Sequence, residues 1–146
     1  MVKTVVKYIF QNIIIYYLPI KLDNMPEKVN LPLWKIDSEI IKLAIDSLDD
    51  KLFKLSEEGA FTKKEFKLIT INIDRIIKSC YNIDKNEESP GWVKILMRKI
   101  NGLTAVIMSK LDSLTVLSGE EYLEQLKVIE MHRIKLVQKA KPLANY

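Results

Sequence analysis

One histidine, one cysteine and four glycines are all that this chain of 146 residues carries of three chemically versatile residue types. With His132 alone there is no histidine cluster to hold a metal and no partner set for a dyad or triad. Cys80 alone excludes an internal disulfide and fits a reducing compartment. Gly59, Gly91, Gly102 and Gly119 stand apart from one another, so no glycine-rich loop is present to cradle phosphates. Long apolar runs are missing too. Residues 5–18 are largely apolar, but Lys7, Gln11 and Asn12 interrupt them before they reach the roughly 18 residues of a spanning helix. No small-residue cleavage pattern follows that stretch. These shortages disfavour an enzyme and point to a protein with no catalytic residues, no cofactor, no metal and no membrane span.

What is present is a globular composition. The chain is 48% hydrophobic, enough for a substantial core, and holds one large domain or a medium domain with an appendage. Its formal net charge of +4 is only a mild bias toward polyanions. Residues 2–10 alternate, with Val2, Thr4, Val6, Tyr8 and Phe10 on one face and Lys3 and Lys7 on the other, the period-two signature of a strand. Gln11-Asn12 offers a turn, residues 13–18 read as a second strand, and a short third is possible at 28–30 within a proline-punctuated loop. The expected class is therefore α+β, with a small β-rich domain over residues 1–45 and a larger all-helical bundle over 46–146.

The helical zone is periodic. Asp37 or Ser38 is placed to cap a helix bearing Ile41, Ile45, Leu48, Leu52 and Leu55, which Gly59 stops. Thr62 and Glu65 make a capping box for a second helix with the stripe Phe66, Ile69, Ile73, Ile76 and Cys80. Residues 82–89 are polar and read as a loop. Pro90 suits the first turn of a third helix with Val93, Leu96, Ile100, Leu103 and Ile107 inward. Residues 110–117 read as a helix end or tight connection, after which Ser118 and Glu121 form a second capping box for a helix running to about Gln138.

Few side chains in these elements invite chemistry. His132, between Met131 and Arg133, reads as a solvated surface residue, and Cys80 as a small core residue closing an apolar stripe. The acidic pairs Asp49-Asp50, Glu57-Glu58, Glu87-Glu88 and Glu120-Glu121 sit near element ends, where carboxylates complement helix dipoles or solvate loops. Two basic sets, Lys63, Lys64, Lys67, Arg75 and Lys78, then Arg133, Lys135, Lys139 and Lys141, lack interleaved aromatics to stack bases. They read as solvated faces, with any DNA contact weak, indirect and salt-sensitive.

Two short runs stand out. One is Met25-Pro26-Glu27-Lys28-Val29 followed by Pro32-Leu33-Trp34; the other is Lys110-Leu111-Asp112-Ser113-Leu114-Thr115 just ahead of the last helix. On physical grounds the first is a strand-to-helix junction where Pro32 fixes the backbone and Leu33 and Trp34 anchor the helix onto the small sheet, and the second an apolar corner between two helices that buries Leu111 and Leu114. Together, and in this order, they resemble the GINS family, in its archaeal type with the small β domain ahead of the helical domain. Between Val29 and Pro32 this chain has Asn30-Leu31, one residue more than the family's usual spacing. The resemblance implies a non-catalytic scaffold that bridges and activates the replicative MCM helicase at DNA replication forks. It further implies a 2:2 heterotetramer with a paralogous subunit, contact with a RecJ-like protein and in some members with primase, and a cytoplasmic, nucleoid-associated location.

Independently of that resemblance, the last two helices carry more apolar residues than one face needs. Trp92, Ile95, Val106 and Met108 lie off the main stripe of the third helix, and Tyr122, Leu126 and Ile129 add to the fourth, which marks all seven as interface candidates. The alternative is a small Bcl-2-like helical adaptor acting by protein–protein binding, against which stand the strand-like start and the proline-rich junction before Trp34.

Overall fold

The computed structural model describes residues 31–145. The first helix, α1 (Leu33–Glu58), starts directly after Pro32, ahead of the expected caps Asp37 and Ser38. Pro32 has extended backbone at φ −60° and ψ 147°, and its carbonyl accepts the N–H groups of Lys35 and Ile36 at 3.0 and 3.4 Å. Ser38 instead donates its hydroxyl back to the Trp34 carbonyl at 2.8 Å. Gly59 ends α1 in the left-handed region at φ 76°, with its N–H on the Leu55 carbonyl.

The second helix, α2 (Lys63–Lys85), opens with the expected capping box: the Glu65 N–H donates to Thr62 Oγ1 at 3.0 Å and the Thr62 N–H to Glu65 Oε1 at 2.7 Å. It runs into the segment read as a loop, because Ile83 is fully buried and holds the last turn on the core. The third helix, α3 (Gly91–Leu114), has Pro90 at its N-cap and ends within the segment 110–117 read as a helix end or tight connection, with Leu111 and Leu114 prolonging its buried stripe. The fourth, α4 (Gly119–Ala140), follows Ser118, whose side chain makes no capping hydrogen bond, and a 3₁₀ turn, Lys141–Asn145, returns Leu143 to the core.

Consecutive helices are joined by short connections and so run antiparallel. α1 packs on α2, α2 on α3, α3 on α4, and α4 closes the ring against α1. The seam they share is apolar and dense, with Ile41, Leu48, Ile76, Ile83, Ile100 and Ile107 fully buried.

This corrects the expected fold class. The described residues form a four-helix bundle with no strand among them, not an α+β arrangement of a β-rich domain and a helical one. The reason lies in residues 33–45, assigned to the β domain, which build the first half of α1: Trp34, Ile41, Ala44 and Ile45 enter the same core as Leu48 and Leu52. The expected boundary at residue 45 falls inside this unbroken helix. The strands expected at residues 2–10, 13–18 and 28–30, and the first half of the Met25–Trp34 run, lie outside the described residues.

Candidate interaction surface

The seven interface candidates divide by the side of the helix they occupy. Trp92, Ile95 and Val106 share the outward side of α3 and are 42%, 54% and 37% exposed. Met108 and Tyr122 are half-buried against the core, and Leu126 and Ile129 are buried within it. The Tyr122 hydroxyl also donates at 2.8 Å to the carbonyl of Gly59, tying the start of α4 to the end of α1.

The two motif segments lie at opposite ends of the bundle, one at the start of α1 and the other at the end of α3. In the first, Pro32 is half-buried, Leu33 exposed, and Trp34 buried with the Lys35 ammonium 5.7 Å from its ring. In the second, Leu111 and Leu114 are buried as expected, while Asp112 is exposed and its carbonyl accepts the hydroxyl of the helix-ending Thr115 at 2.8 Å. The carbonyl of Lys110 takes a 3.3 Å hydrogen bond from Gln125 of α4.

A second apolar feature, not marked in the sequence, is a shallow groove along α4 beside the end of α1. Leu126, Met131 and Ile134 line it together with Ser56, Lys127 and Glu130. Under its edge Arg133 pairs with Asp49 of α1 and with Glu130, and its guanidinium lies 5.3 Å from the Phe53 ring. Glu130 first, then Asp49, holds the Arg133 guanidinium even more firmly protonated than usual, against the opposing effect of burial. The groove was hard to foresee because Met131 and Ile134 look like core residues until the direction of α4 is known.

The chemistry-bearing residues are placed for structure. Burial, reinforced by the Asp37 and Asp84 carboxylates, pushes the Cys80 thiol up to about 12, which keeps it protonated. His132 departs from the solvated reading: it is half-buried, with Nδ1 2.8 Å from the Val128 carbonyl. Asp37, expected only as a cap, is driven up to about 6 by burial, opposed by hydrogen bonds with Asn82 and Ser79. Among the described residues no group of three or more His, Cys, Asp or Glu side chains could hold a metal ion, and no helix is long and apolar enough to cross a membrane. No protein-family model, curated protein or solved structure matches the chain.

Proposed function

We propose that the chain is a non-catalytic scaffold subunit of a GINS-like complex, working beside a paralogous subunit in a 2:2 heterotetramer to bridge and activate the MCM helicase at replication forks. The reading also takes in a RecJ-like protein as a further partner. The observation that carries the scaffold role is the row Trp92, Ile95 and Val106, three large apolar side chains exposed on one side of a helix whose other side is fully engaged in the core. Exposed apolar side chains on one helix side, here with exposed Lys99 between Ile95 and Val106, suit a protein–protein contact of mixed apolar and charged character. Support for the GINS-like identity comes from the two short runs, Pro32-Leu33-Trp34 and Lys110 to Thr115, each beside buried apolar anchors. The resemblance now bears on the helical part of the family's pattern alone.

The test is assembly. Ile95→Glu and Val106→Glu place charge on the outward side of α3 while leaving the buried stripe untouched. Co-expressed with the paralogous subunit, both variants should lose the complex and keep their helical circular dichroism. Complexes that form unchanged with both variants would remove this face from the account.

A further inference from the structure

α1 carries a second apolar stripe beside the one it buries in the core. Leu33, Ile36, Ile40 and Leu43 recur at helical spacing on the side of α1 that borders α2. Leu33 and Leu43 are 51% and 45% exposed, and Ile40 is half-buried. Ile36 is buried, yet it stands apart from the core that Trp34 and Ile41 enter. The stripe passes on to α2. Asp37 is hydrogen-bonded with Ser79 and Asn82, and the Asn72 amide donates to Ser47 Oγ at 3.0 Å. These bonds set the two antiparallel helices level and bring exposed Ile71 and Leu68 next along the same border. The strip ends where Leu68 meets Lys51 and Lys54. From Leu33 to the level of Lys51 it extends about 27 Å at 1.5 Å per residue. Arg75 is a charge in its middle. It is half-buried, burial lowers its pKa, and it makes no ion pair among the described residues.

We propose that this strip is the docking site of the chain's own residues 5–18. All of those residues except Lys7, Gln11 and Asn12 are apolar or aromatic, and burying such side chains is strongly favoured in water. The path of the chain selects the strip. Residues 5–18 join the bundle through residues 19–30 at Leu31, itself exposed, just before Leu33 opens the strip. The twelve residues of that connection span at most about 40 Å, so every part of the strip is within reach. The other apolar surfaces lie further off. The groove on α4 starts level with Asp49, about 24 Å along α1. The row of Trp92, Ile95 and Val106 belongs to α3, which packs on α2 and α4 and not on α1. The chemistry also matches, because Tyr8, Tyr16 and Tyr17 offer ring faces to the Arg75 guanidinium. A segment tethered this closely is present at an effective concentration on the order of millimolar, which sets it ahead of a second copy or a free partner.

This docking is internal to the chain, so it stands or falls apart from the GINS-like reading. The experiment is photo-crosslinking of the full chain, with helical content checked by circular dichroism. Leu43→Cys and Ile71→Cys, both at exposed positions, each carry a benzophenone maleimide. Cys80 stays unlabelled, because it is buried and its thiol is held protonated. An equal mixture of light and isotope-heavy chains is irradiated and digested. Both positions should be recovered joined to peptides from residues 5–18, light to light and heavy to heavy. Met131→Cys in the α4 groove should capture that segment with roughly a tenth of the yield or less, the ratio of a modest preference between two sites. Ile14→Asp with Ile15→Asp should abolish the crosslinks at positions 43 and 71 and leave the helical signal unchanged. Crosslinks joining light to heavy chains would assign the strip to a second copy and overturn the inference. Absence of residues 5–18 from the products at both positions, or equal capture from Met131→Cys, would overturn it as well.

Discussion

Asp37 shows what a single side chain contributes when burial and hydrogen bonding oppose each other. Its carboxyl, raised from 3.8 to about 6 chiefly by burial, holds its proton more tightly in the folded chain than in the unfolded one. Ionisation therefore weakens the fold: the penalty is absent below about pH 4, grows as pH rises, and is complete above about pH 6. Asp37→Asn keeps a hydrogen-bonding amide and removes the charge. At pH 7.5 it should stabilise the chain by roughly 1–2 kcal/mol, allowing for partial solvent screening, and at pH 3.5 by little or nothing. Urea midpoints at the two pH values check this, and a variant weaker than wild type at both would show that the bonds with Asn82 and Ser79 outweigh the burial. Cys80 gives the matching test of the core: with its thiol pushed up to about 12, iodoacetamide should label it only when the chain unfolds. Its core position was legible from its place at the end of an apolar stripe. The titration of Asp37 was not, because a residue expected at a helix cap turned out to face Ser79 and Asn82 of another helix.

At the scale of the element, periodicity and caps carried most of the information, and tertiary packing decided the rest. The Thr62–Glu65 box formed as its sequence requires, and Thr62→Ala should cost about 1 kcal/mol in chemical denaturation. The Ser118–Glu121 box did not, since Gly119 takes a left-handed φ of 60° immediately after the cap residue. The start of α1 was missed for a physical reason: Pro32 initiates the helix without a side-chain cap, so the local signals at Asp37 and Ser38 appeared stronger than the actual start. Trp34 is buried in the core of the helical bundle, while Leu33, expected to anchor beside it, is exposed; Trp34→Ala should cost roughly 3–5 kcal/mol if its ring fills the seam as its burial indicates. A variant that melts with the wild type would mean the ring contributes nothing to the core. The apolar excess on α3 and α4 was visible in the sequence, but spacing alone does not say which side the rest of the bundle covers. Leu126 and Ile129 face inward and Trp92, Ile95 and Val106 outward, a division set by the closing of the ring between α4 and α1.

For the whole molecule, the bundle buries one side of each helix and leaves Trp92, Ile95 and Val106 on the outward side of α3. The charge balance limits DNA binding, because a net charge of +4 neutralises few phosphates. Any affinity for a duplex should fade by physiological salt, and tight sequence-specific binding there would contradict the scaffold role. The most direct test of that role is purification of the tagged chain from its native cells, with the stoichiometry of co-purifying proteins measured for wild type and for Val106→Glu. The account predicts a stoichiometric paralogous subunit with the replicative helicase for wild type and their loss from the variant. Recovery of the chain without them, or of the same complex with both proteins, would contradict it.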